Sequence, residues 1–236
     1  MATASQARTR TGRKMSPFFW WLVAVLSAFV ATYGFLHASL GERLFAPQLL
    51  ESFRARPWGI FLHALLASIA LILGPFQFHR GLLLRYRALH RLLGKVYVIC
   101  AIAGSGVIGL YMAAHSFGGW VTHLGFGSLA ALTLVTTLVA FIKIRQGEVV
   151  AHREWMIRSF AMIFAAVTLR LLLPLLVVVH KGNFTPAYLW VSWLCWVPNL
   201  ILVELYISKY SRRRNITNEL PHRSLGGHTV ITEKSF

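Results

Sequence analysis

The sequence predicts an all-α polytopic membrane protein: six transmembrane helices, with spans two to five forming a central four-helix bundle. Three observations carry that prediction. Hydrophobic residues make up 56% of the 236-residue chain and charged residues only 13%, against roughly a quarter charged in soluble domains. Six apolar stretches are each about long enough to cross ~30 Å of hydrocarbon at ~1.5 Å per residue. Basic residues gather in alternate connections between those stretches, the bias expected of a chain inserted with its positive side inward.

The elements follow in order. Residues 1–15 carry Arg8, Arg10, Arg13 and Lys14 and read as a disordered basic tail. The first span is Pro17–His37, longer than a signal-peptide core and without a convincing small-residue cleavage site. The loop Ala38–Pro57 is the longest, holds Glu42 and Glu51, and is expected to form a short interfacial helix. The second span is Trp58–Phe78, and the basic segment with Arg80, Arg85, Arg87, Arg91 and Lys95 follows it. The third is Gly94–Ala114 and the fourth Trp120–Ile142. Lys143, Arg145, Arg153 and Arg158 come next, around the start of the fifth span, Met156–Val179. The sixth is Pro186–Ile207, with Lys209, Arg212, Arg213 and Arg214 beyond it. The membrane domain is therefore 16–210, and 211–236 reads as a second disordered tail. With six spans, all four basic segments share one side. The other side keeps only Arg43, Arg54, Arg56 and Lys181. The charge rule predicts both termini in the cytoplasm and a place in the inner (plasma) membrane. Trp20, Trp21, Trp58, Trp120, Trp155 and Trp190 fall near span ends, as an aromatic belt should.

Composition also excludes functions. A net charge of +17 would suggest nucleic acid in a soluble chain. Topology explains it here, so the expected partners are anionic membrane lipids and not nucleic acid. The seven acidic residues are all glutamate. Paired-carboxylate catalysis and a hard-cation site are nearly excluded. Cys100 and Cys195 both lie inside apolar spans, which argues against a disulfide framework or a thiolate metal site. The chain has no Gly-rich phosphate loop and no nucleophile elbow.

Histidines supply the one pattern with chemical content. His63 lies near the outer end of span two and His123 near the outer end of span four. His90 and His152 lie at the inner ends of spans three and five. Four consecutive helices thus offer two pairs, one per leaflet. Two axial imidazoles make haem iron six-coordinate, suited to passing electrons. Haem also needs room. One helical turn beyond three of these histidines stands a small residue, namely Ala67, Gly94 and Gly127; Met156, after His152, breaks the pattern. Haem propionates need cations, and Arg85, Arg87, Arg91, Arg153 and Arg158 cluster about the inner pair. Near the outer pair the candidate is Arg170, well inside span five, where an arginine is costly. It should share a face with His152, about 27 Å along the helix. Pro174 leaves the Arg170 carbonyl without its helical donor, so a kink is expected there.

Each feature has a plainer reading. A histidine at a membrane interface is more often a packing residue than a ligand. Small residues let membrane helices pack, and basic loops set topology. His37, His79, His115 and His180 also stand at helix ends.

Two resemblances add to this. The motifs GPFQF (Gly74–Phe78), LHRLLGKVYV (Leu89–Val98) and HREWMIRSFA (His152–Ala161), followed by Arg170, resemble a bacterial membrane family filed as domain of unknown function 2306. That resemblance runs from about Trp58 to Tyr206 and implies no activity. In architecture the chain is similar to the ascorbate-reducible two-haem cytochromes b. That likeness implies two haem b groups, the outer one on His63 and His123 and the inner one on His90 and His152. It also implies a transmembrane oxidoreductase with a quinone or other small electron donor or acceptor. Two further functions remain open: a carrier or lipid- or small-anion-binding protein that uses Arg170 and the interfacial His and Arg residues, and a structural or accessory membrane subunit.

Overall fold

A computed structural model describes residues 16–40 and 46–209. The two basic tails expected to be disordered lie outside the described residues. Helix α1 is Pro17–Leu40. It starts where Pro17 can occupy the first turn without wasting a donor, and Ser16 Oγ accepts from Phe19 N at 3.2 Å. The following loop holds a short helix α2, Leu50–Ala55. Helix α3, Pro57–Gln77, again opens on a proline. A six-residue helix α4, Arg80–Arg85, joins it to the next span, and His79 caps it by accepting from Leu82 N.

The third span, α5, runs Arg87–Ala113. It is α-helical to Cys100, wound as a π-helix over Ala101–Ile108, and α-helical again over Gly109–Ala113. Helix α6 is Trp120–Arg145. Its entry turn needs positive φ at Gly118 and Gly119, +98° and +72°, which glycine adopts without a Cβ clash. The fifth span, α7, is Val149–Val179 and the sixth, α8, is Phe184–Lys209. Asn183 caps α8 by accepting from Thr185 N at 3.2 Å.

Packing matches the predicted bundle. Helix α3 lies against α5, α5 against α6, and α6 against α7, while α7 returns to α3 and closes the ring. Helix α1 runs along α3, and α8 covers α6 and the second half of α7. Close approach rests on small residues. Gly74 makes room for the Phe160 ring, and Gly104 lets α5 press on the backbone of α3 at Leu66 and Ala67. Gly125 lets α6 approach Ser192 of α8. One buried cluster joins Val30, Ala31, Leu71, Tyr97, Phe160 and Val167; a second joins Met162, Ala165, Val191 and Cys195. Large apolar side chains such as Phe18, Ile99, Val107, Leu171 and Leu202 stay on the outside, as a lipid-facing surface requires.

Two expectations need correction. The third and fifth spans start seven residues earlier than predicted, at Arg87 and Val149. The charged and histidine-bearing turns before Gly94 and Met156 are helix; on α5 the charges Arg87, Arg91 and Lys95 stay exposed while Tyr97 and Cys100 are buried. The kink expected at Pro174 is replaced by a break at Phe164. The helix Val149–Ile163 ends there and Ala165–Val179 runs on through Pro174. In α8 the break falls at Cys195–Trp196, just before Pro198, whose missing N–H would have served Leu194.

Candidate functional site

The closed ring of α3, α5, α6 and α7 fixes where the histidines meet. The end of the bundle with most basic residues is called the basic end here. His90 and His152 both sit near it, on the diagonal helices α5 and α7. They are close enough for their charges to interact. His152 Nδ1 lies 2.8 Å from the Ala140 carbonyl of α6. A carbonyl only accepts, so that nitrogen carries the proton, and in the neutral ring Nε2 keeps its lone pair. His90 Nδ1 is buried without any hydrogen-bond partner. Seven residues further along each helix stand Tyr97 and Ser159, on the same faces. Their hydroxyls meet at 2.8 Å, and Ser159 Oγ is 2.7 Å from Thr137 Oγ1 of α6. Tyr97, Ser159 and Thr137 are all fully buried. The faces that carry His90 and His152 therefore converge.

Gln77 sits on the same side. Its Oε1 is 3.1 Å from where a Cβ on Gly94 would be, one turn from His90, and its Nε2 is buried without a partner. Arg80, three residues on, also has a buried unpartnered Nη1. Orphaned buried donors are uncommon, and they mark a place where an acceptor fits. Sequence reasoning missed Gln77, Tyr97, Ser159 and Thr137. The seven-residue spacing from His90 to Tyr97 and from His152 to Ser159 was the available signal.

At the opposite end, His63 Nδ1 lies 2.9 Å from the Gly104 carbonyl of α5, so its Nε2 is again left free. Its ring is 3.8 Å from where a Cβ on Gly109 would stand, and Gly109 is level with Ala130 of α6. His123 is seven residues from Ala130 and so lies about 10 Å nearer the end of the bundle. Its Nε2 is 3.0 Å from the Ser116 carbonyl, and its ring packs on Trp120. His63 interacts instead with Arg170 of α7. The Arg170 guanidinium lies 5.1 Å from the centre of the Tyr33 ring of α1 and donates to the Ala166 carbonyl at 3.1 Å. Arg170 and His152 thus address different neighbours, α1 and α3 against α6. The break at Phe164 lies between them.

The predicted propionate cations divide. Arg91 and Arg153 are exposed near the basic end, beside His90 and His152. Arg158 is engaged: its Nε and Nη2 donate to both Glu204 oxygens, at 2.6 and 2.9 Å, and it stacks over Trp155. Arg158, one of the cations expected about the inner pair, is thus paired with Glu204 on α8. Among the described residues no group of three or more His, Cys, Asp or Glu could hold a metal ion. A bis-histidine haem needs only two.

The model of a family described as predicted membrane protein, DUF2306, matches residues 60–207. The chain belongs to that family. The matched region takes in spans two to six, and so all four histidines and Arg170. No curated protein and no solved structure matches the chain.

Proposed function

We propose that the chain is a transmembrane cytochrome of the b type, carrying electrons between two haem b groups. His90 and His152 would hold one near the basic end. His63 would ligate the other near the opposite end, while His123, expected as its partner, lies about 10 Å nearer the end of the bundle with Nε2 on the Ser116 carbonyl. The observation that carries this reading is the convergence of His90 and His152 from diagonal helices. One ring has a buried nitrogen without a partner, and the other has its Nδ1 committed to a carbonyl so that Nε2 is free. Ligating histidines commonly donate the opposite ring N–H to a carbonyl, which fixes tautomer and orientation. His63 follows the same rule through Gly104. The iron supplies reversible one-electron transfer. The chain's own residues would position the ligands, exclude water through the packed core between the two ends, and offer Arg91 to carboxylates at the basic rim. The charge bias supports a cytoplasmic basic end and a domain in the inner (plasma) membrane. The exchange partners are then small molecules of quinone or ascorbate type.

The test is a reduced-minus-oxidised spectrum of protein expressed with ample haem. The wild type should show a b-type difference band. His90→Ala and His152→Ala should each remove about half of the haem, and His63→Ala the other half. A colourless wild type ends the proposal.

A further inference from the structure

Arg170 is a largely buried cation, and among the described residues no acid meets it. It lies nine residues from the end of α7, about 13 Å along the helix axis. Among the described residues no glutamate occupies that half of a span: Glu148, Glu154 and Glu204 all lie toward the basic end, and Glu51 is exposed on α2; Glu42 lies outside the described residues. The guanidinium has five N–H donors. One goes to the Ala166 carbonyl, and Nε is buried without a partner. The face of Tyr33 supplies a cation–π contact. Removing a guanidinium from water without a counter-charge is expensive in a bilayer, and such residues mark ligand sites.

The site also has an approach. Helix α1 meets α7 only lightly. Tyr33, Leu36 and Leu171, which flank that seam, are exposed to the surrounding lipid. Further along, α1 and α3 are sealed where Gly34 lies against Ser68. An entering molecule would therefore be stopped at the depth of the guanidinium. Its tail would lie along an apolar surface while its head met a bidentate donor fork.

We infer that Arg170 holds the headgroup of an anionic amphiphile, a carboxylate or phosphate on an apolar tail, admitted from the bilayer between α1 and α7. This assignment stands independently of the haem proposal. It is tested with the full chain in nanodiscs of zwitterionic lipid, doped with oleate or with phosphatidylglycerol, and separately in inorganic phosphate. Native mass spectrometry and the thermal unfolding midpoint are the readouts. The wild type should gain one amphiphile adduct and a saturable rise in midpoint with at least one of the two doped amphiphiles, and neither with inorganic phosphate. Response to oleate alone or to phosphatidylglycerol alone identifies the head as carboxylate or phosphate. Arg170→Lys should weaken the response about tenfold, because an ammonium cannot reproduce the bidentate fork. Arg170→Gln should abolish it; if that variant does not fold, the wild type and Arg170→Lys carry the test. A wild type indifferent to both amphiphiles, equal response in Arg170→Lys, or an equal effect of inorganic phosphate overturns the inference. The two proposals fail separately. A colourless protein that takes up the amphiphile refutes only the cytochrome. A coloured one whose Soret band shifts in Arg170→Lys while the wild type ignores amphiphiles gives the guanidinium to a haem carboxylate.

Discussion

The buried hydroxyls of Tyr97, Ser159 and Thr137 give the sharpest energetic prediction, because their hydrogen positions can be deduced. Thr137 donates its one proton to the Thr133 carbonyl at 2.6 Å. Toward Ser159 it can only accept, so Ser159 donates to Thr137, and Tyr97 must donate to Ser159. The chain therefore runs one way: Tyr97 to Ser159 to Thr137 to the carbonyl. Tyr97→Phe removes the first donor and leaves no N–H or O–H unpaired. The expected loss is about 0.6–1 kcal/mol, the usual net value of one hydrogen bond in water or membrane. Ser159→Ala is different. It leaves the Tyr97 O–H buried with no acceptor, and an orphaned donor costs about 1–3 kcal/mol. The double variant removes that orphan, so it should be more stable than Ser159→Ala alone. The assay is reversible unfolding in mixed micelles titrated with dodecyl sulfate, followed by tryptophan fluorescence, for all four proteins of the cycle. Additive effects, or a Tyr97→Phe loss as large as that of Ser159→Ala, would show that the proton order is wrong.

Other perturbations have equally definite outcomes. A Cβ at Gly104 would overlap Leu66 and come within 3.1 Å of the Ala67 nitrogen. Gly104→Ala should lower stability by about 1–3 kcal/mol and drag away the carbonyl that holds His63, measurable as a lower thermal midpoint. Glu204→Gln breaks a bidentate pair whose glutamate side chain is 48% exposed. Its cost should stay below about 1 kcal/mol and shrink in molar salt; an undiminished cost at high salt would mean the pair is shielded. Trp20→Phe keeps the ring but removes the indole N–H that reaches the Pro75 carbonyl at 2.9 Å. It should loosen α1 from α3 by about 1 kcal/mol, read as faster amide exchange in α1.

The sequence carried the fold because a bilayer permits few answers. A run of some twenty apolar residues must be helix, and alternating charge sets the sense of each crossing. Boundaries were less legible. Arg87, Arg91 and Lys95 look like loop in a hydropathy reading, yet they lie on the exposed face of α5 while Tyr97 and Cys100 are buried on the other. The candidate site divides in the same way. Which helices carry His90 and His152 could be read from spacing. That Gln77 stands against Gly94, one turn from His90, and that Gln77 and Arg80 keep unpartnered donors could not, because it depends on how α3 turns into α4. The engagement of Arg158 by Glu204 joins residues 46 apart, and no local pattern announces it. Arg170 stood out as a costly residue, but its neighbours Tyr33 and His63 come from other helices.

One periodicity ties these parts together. On α5 the residues in this series are His90, Tyr97 and Gly104; on α7 they are His152 and Ser159, which reach other helices, and Ala166, whose carbonyl accepts from Arg170 of the same helix. On α6 the accepting carbonyls are Thr133 and Ala140. Each step is seven residues, two turns, and about 10 Å. Successive layers of the bundle therefore hold the basic-end histidines, then the hydroxyl chain, then the carbonyls that anchor His63 and Arg170. The middle layer has its polar groups paired in a closed chain that ends on a carbonyl. The outer two keep a buried nitrogen without a partner, on His90 and on Arg170. A chain that used polar groups only as packing would be expected to satisfy them alike in all three layers. Paired hydroxyls at the centre of the four-helix ring, with unpartnered nitrogens on His90 and Arg170 toward its ends and an unpartnered Ser27 hydroxyl on the flanking α1, suit a membrane protein whose ring centre is structural and whose two ends receive ligands.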